Sequence, residues 1–103
     1  MLTYNLGMKK ISFKAKLWLY PGMGGWHFVY VPEKESKALK ALPREKKRGF
    51  NSIKINAKVG KTSWNTSLFP SKEGPYLLAI KAAVRAKEGI GDGDGVRIEC
   101  TIL

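Results

Sequence analysis

The chain has 103 residues, 44% of them hydrophobic, and its 19 Lys and Arg against eight Asp and Glu give a formal charge of +11. That length predicts one domain, residues 1–103, with a modest core of its own. A single cysteine, Cys100, and a single histidine, His27, exclude an internal disulfide and a Cys/His zinc cluster within one chain.

The opening MLTYNLGMKK lacks the apolar core of a signal peptide, and its lysines follow the apolar residues rather than precede them. No apolar run approaches the roughly 20 residues needed to span a bilayer. A soluble cytoplasmic protein without membrane contact is therefore expected. Residues 1–8 read as a tail ahead of the patterned sequence, with Met8 as an alternative start.

Residues 10–20 alternate with period two, which predicts a half-buried strand. Ile11, Phe13, Ala15, Leu17 and Leu19 share one face; Lys10, Ser12, Lys14, Lys16, Trp18 and Tyr20 share the other. The turn-forming PGMGG (21–25) should connect this strand to a second at 26–31, WHFVYV, as a hairpin. Pro32 then opens a short helix, with Glu33 and Glu35 near its positive end and Lys37 and Lys40 nearer its negative end. Ala38, Leu39 and Leu42 form its packing stripe, and Pro43 closes it.

A basic loop, PREKKRG (43–49), leads into a third strand at 50–59, where Ile53, Ile55, Ala57 and Val59 alternate with Lys54, Asn56 and Lys58. Gly60-Lys61 turns the chain into a fourth strand that puts Thr62, Trp64, Thr66 and Leu68 on one side, and Pro70 ends it. YLLAI (76–80) reads as a buried strand passing into a helix at 81–88. The loop GIGDGDG (89–95) precedes a final strand, 96–103, burying Val96, Ile98, Cys100 and Ile102 and exposing Arg97, Glu99 and Thr101. These elements predict a mainly β fold, a small closed or pseudo-closed barrel of about six strands with two short helices.

Several of these residues, taken in order, resemble a known family. Phe13-x-Ala15-x-Leu17, Trp26-x-Phe28-Val29 and Pro32 are followed by Trp64-x-Thr66-Ser67-Leu68-x-Pro70, Tyr76-x-Leu78, Lys81-x-x-Val84-Arg85 and Gly93-Asp94-x-Val96. The set resembles the family described as domain of unknown function 1905, from about residue 11 to 102. The resemblance implies a double-split β-barrel capped by helices, an architecture similar to that of certain dimeric transcription regulators and antitoxins. It transfers no catalytic residue.

Charge is the strongest functional signal. Segment 34–61 holds ten basic residues against Glu35 and Glu45. Such an excess attracts polyanions, nucleic acid foremost; the plain alternative is an ordinary lysine-rich solvated surface. Arg44, Lys46, Lys47 and Arg48 in the loop, with Lys54, Lys58 and Lys61 beyond it, are the candidate phosphate contacts. Lys14, Lys16, Trp18 and Tyr20 interleave cations with rings, as faces that bind single strands do; the same residues also suit a solvated face with its rings tucked under a loop.

The remaining motifs carry less. In GIGDGDG the glycines run from helix to strand, the reverse of a dinucleotide-binding loop, and the acidic ligand of a calcium loop would fall on Leu103. It reads as a helix stop and turn, with Asp94 bonding to nearby backbone N–H groups. Ser63 or Ser67 with His27 and Asp92 could be written as a triad, but nothing in the spacing favours it. PGMGG with Trp26 reads either as a plain hairpin loop or as a lid over a pocket.

The expectation is a non-enzymatic binding domain for nucleic acid or another polyanion, with no cofactor and no metal. One alternative is a small-molecule-binding barrel with a pocket near the Gly-rich loop, Trp26 and Trp64. The other is a homo-oligomerising domain that pairs through an open edge at 96–103.

Overall fold

A computed structural model describes residues 10–22 and 24–103. The expected tail at 1–8 lies outside the described residues, as does Met23 in the PGMGG turn. Among the described residues seven antiparallel strands form a nearly closed barrel: β1 (Lys10–Lys16), β2 (Trp18–Leu19), β3 (His27–Tyr30), β4 (Ile53–Val59), β5 (Thr62–Pro70), β6 (Tyr76–Ala79) and β7 (Gly95–Ile102). Two helices, α1 (Glu33–Lys40) and α2 (Ala82–Glu88), complete it.

The spatial order is β1-β7-β4-β5-β6-β3-β2. The two outermost strands of this order, β1 and β2, are separated in sequence by Leu17 alone. One segment thus serves both ends of the sheet, and this brings the sheet round on itself. The expected strand at 10–20 is therefore two strands. At Leu17 the backbone leaves β7 and bonds to a loop instead: its N–H donates to the Asp94 carbonyl (2.8 Å) and its carbonyl accepts the Gly93 N–H (2.7 Å).

Burial of the inward row weakens past the same point. Ile11, Phe13 and Leu17 are buried as expected, but Leu19 is 44% exposed. Only β2 makes the hairpin with β3, through the pairs Trp18–Phe28 and Leu19–His27; β1 pairs with β7 from Lys10–Thr101 to Lys16–Gly95. Strand β7 lies between β1 and β4, so the expected open edge at 96–103 is corrected: its backbone is paired on both sides.

Inside, the period-two readings hold. Ile53, Ile55 and Ala57 are fully buried against Ile98 and Cys100 of β7, and Leu68, Leu78 and Val29 carry the core on round the barrel. Burying such side chains stabilises the fold by about 1.5–3 kcal/mol each. Leu39 of α1 and Val84 of α2 cap the core, with Leu42 packed at its margin. Gly60 turns β4 into β5 with φ of 59°, a conformation that glycine adopts without strain. A Cβ there would fall inside the Glu88 carboxylate. That carboxylate accepts the Thr62 hydroxyl (2.6 Å) and the Lys61 N–H (3.2 Å), tying α2 to the turn.

Candidate functional site

Residues opposite each other on adjacent strands share a face of the sheet. The inward set fixes the outward one. Across β1, β7, β4 and β5 the outward rows are Lys10–Thr101–Asn56–Asn65 and Ser12–Glu99–Lys58–Ser63, flanked by Lys14–Arg97 on one side and Lys54–Ser67 on the other. With Lys16 this face carries six cations, Lys10, Lys14, Lys16, Lys54, Lys58 and Arg97, against one carboxylate, Glu99. The rest is hydroxyl and amide.

Glu99 offsets little of that charge. It pairs with Lys10 at 3.2 Å, and both side chains are largely solvated, so the pair contributes about 0–1 kcal/mol. Lys14 stands directly opposite Arg97 with no acid between them. Like charges so placed repel by about 0.2–1 kcal/mol, and a bound anion would relieve that repulsion. Arg97 leans towards the Ser12 hydroxyl at 3.4 Å, and Lys14 extends over Gly95, whose missing side chain leaves it room.

The expected cluster at 44–61 divides. Lys54 and Lys58 lie on the basic face. Lys61 stands exposed at the β4–β5 turn. Lys47 turns to the end of α1 and donates to the Lys40 carbonyl (2.6 Å), and Arg48 donates to the Glu45 carbonyl (2.9 Å). Arg44 and Lys46 sit in a 3-10 turn, Arg44–Lys46, and Lys46 is exposed. A second 3-10 turn, Gly49–Asn51, replaces the expected start of the third strand; in it Phe50 is 92% exposed with φ of 59°, a strained value for a bulky residue.

Round the barrel the outer surface changes character. Trp18 and Tyr20 meet Trp26, Phe28 and Tyr30 in one cluster, in which Trp18 stacks on Tyr30 (centroids 5.3 Å apart, 22°) and Trp26 on Phe28 (5.9 Å, 18°). Tyr20 packs its edge to Phe28 at 5.7 Å. The register extends this apolar surface through Ala79 and Leu77 of β6 to Phe69 of β5. Tyr20, Trp26, Tyr30 and Phe69 are exposed, and Trp18 is half-buried with its indole N–H unpaired among the described residues.

Trp64 is elsewhere. It lies on the inward side of β5 opposite Ala57, half-buried against the core. A shallow pocket of about 260 Å³ does open beside Trp26, lined also by His27, Ile80, Lys81 and Arg85, but Trp64 takes no part in it. Arg85 is committed there to the Ile80 carbonyl (3.0 Å) and the Gly25 carbonyl (3.4 Å). His27 Nδ1 donates to the Gly25 carbonyl at 2.6 Å. Among the described residues no hydrogen bond joins His27 to Ser63, Ser67 or Asp92.

The GIGDGDG loop is a clasp. Asp94 accepts the Gly91 N–H (2.8 Å), as expected, and Asp92 accepts the Leu19 N–H (2.9 Å) just past the break at Leu17. Sequence reasoning placed Lys10 and Arg97 on outward strand faces but did not join them to the basic face, because the pairing of β1 with β7 is not readable from local pattern. It also missed Ser36, buried in α1, whose hydroxyl donates to the Val31 carbonyl and accepts the Tyr76 N–H, both at 3.0 Å.

Cys100 is fully buried, and burial pushes its thiol up to about 12; burial raises the Tyr76 phenol as well. A thiol so held is protonated at neutral pH and a poor nucleophile. Among the described residues no group of His, Cys, Asp and Glu is placed to hold a metal ion, and no helix is long and apolar enough to cross a membrane.

The family model described as domain of unknown function (DUF1905) matches residues 13–100, and the chain belongs to that family. The comparison with curated proteins gives no match.

Proposed function

We propose that this member of a family without an assigned activity is a non-enzymatic binding module that holds nucleic acid on the outer face of β1, β7 and β4. The observation that carries the reading is the Lys14–Arg97 opposition within a face of six cations and one acid. A rigid sheet fixes these cations at strand spacing, so phosphates meet charge already in place and release condensed counterions as they bind. The hydroxyls and amides between the cations supply further donors to phosphate oxygens.

Fluorescence anisotropy with labelled DNA and RNA across a salt series tests the reading. Binding should weaken linearly in the logarithm of salt, and the triple variant Lys54→Glu/Lys58→Glu/Arg97→Glu should lose about a hundredfold or more at low salt. Lys46→Glu/Lys47→Glu should lose less, since Lys47 is already held by α1. Absence of affinity at low salt, or a triple variant that binds as well as the wild type, would falsify the proposal.

The pocket beside Trp26 supports a second reading, a site for a small apolar ligand carrying one anionic group towards Lys81. A thermal-shift screen of small metabolites that leaves the melting temperature unmoved removes it.

A further inference from the structure

We infer that the nucleic acid is single-stranded, its phosphates following the basic face and its bases stacking on the aromatic cluster of β2 and β3. The inference rests on the reading above and adds to it the class of strand and the residues that distinguish it. Its ground is continuity. Lys14, Lys16, Trp18 and Tyr20 are successive outward positions of one segment, so the cations end where the rings begin. The break at Leu17 turns that segment from one part of the outer surface to the other without interrupting it.

The rings are open in the way a base requires. Trp26 stacks on Phe28 by one face yet remains 53% exposed, and Tyr20 and Tyr30 are 41% and 39% exposed. A duplex keeps its base faces against one another and offers the protein only edges and backbone, whereas a single strand can lay each base on a ring. Charge argues against a second copy as the occupant. Each chain brings +11, and the cluster borders a face with six cations and one carboxylate, so two copies meeting there would crowd like charges together.

The test uses the full chain with a labelled oligothymidylate and a duplex of the same length at matched salt. Single strands should bind about tenfold tighter or more, and Trp26→Ala and Tyr20→Ala should each weaken single-strand binding by roughly tenfold. Neither substitution removes charge, so the slope of affinity against salt should stay as in the wild type; Lys14→Ala and Arg97→Ala should each flatten it by about one. Quenching of tryptophan fluorescence by the single strand should largely disappear in Trp26→Ala. Both aromatic positions are exposed, and unchanged melting curves will show that the variants fold. Equal binding of both strand forms, untouched by the aromatic variants, overturns this inference and leaves the broader reading standing. No binding of either form at low salt removes both. Self-association abolished by Trp26→Ala assigns the cluster to a second copy and overturns the inference too.

Discussion

Two regions of the outer surface cover one interior and differ in almost every respect. Over β1, β7 and β4 the outward residues are cations, hydroxyls and amides with the single carboxylate Glu99; over β2 and β3 they are rings, continued on β6 by Leu77 and Ala79. Beneath both lies the same aliphatic packing, with Ile98 behind the first and Val29 and Leu78 behind the second. Folding dictates the inner face of a sheet closely and the outer face loosely. The division on the outside is therefore not imposed by the interior.

The strongest way to test the shared interior is Leu17→Ala. Leu17 is fully buried where the two regions join, and the change should cost about 2–5 kcal/mol in urea unfolding. A loss below about 1 kcal/mol would mean that the regions are held independently. Next comes Trp18→Ser, which removes three ring contacts from the aromatic region and should cost about 2 kcal/mol. If it costs nothing, the cluster is a surface ornament rather than a packed layer.

Alkaline titration compares what lies behind the two regions, because Cys100 faces inward from β7 and Tyr76 inward from β6. An unfolded thiol releases its proton near 9.0, while the buried Cys100 holds its own to about 12. The folded state binds the extra proton in that window. Its stabilisation is therefore complete below pH 9 and fades as pH rises, by at most about 1.4 kcal/mol per pH unit. Tyr76, raised by burial alone, acts in the same direction at higher pH. Melting temperature followed from pH 8 upward should fall more gently in Cys100→Ala than in wild type. The smallest effect belongs to the basic face: Lys58→Ser should shift stability by no more than about 0.5 kcal/mol. A larger loss would make that lysine part of the scaffold.

Much of this fold is legible in local pattern. Ile53, Ile55, Ala57 and Val59 announce an inward face because alternation is a property of the strand itself, and Gly60 marks its turn. The break at Leu17 is not legible, since Leu17, Trp18 and Leu19 are all apolar and the partners that end β1 come from Gly93 and Asp94. Ser36 gives no signal either: a helical serine reads as solvent-facing until Val31 and Tyr76 are brought beside it.

The candidate site shows the same limit. A linear count of charge groups Lys47 and Arg48 with Lys54 and Lys58, yet hydrogen bonds carry the first two to backbone carbonyls and the register adds Lys14 and Arg97 from distant sequence. The interleaving of Lys14, Lys16, Trp18 and Tyr20 was readable.

Closure at Leu17 also has a consequence for synthesis. Residues 10–16 emerge from the ribosome ahead of the rest of the barrel, but their hydrogen-bonding partner is residues 95–101, the barrel strand that emerges after all the others. Until then β1 and one side of β4 have no neighbour, and a nascent chain of this composition must be kept from pairing with other nascent chains. Because a loop spanning the other strands of the barrel has to close before β1 and β7 pair, the barrel should fold slowly for its size.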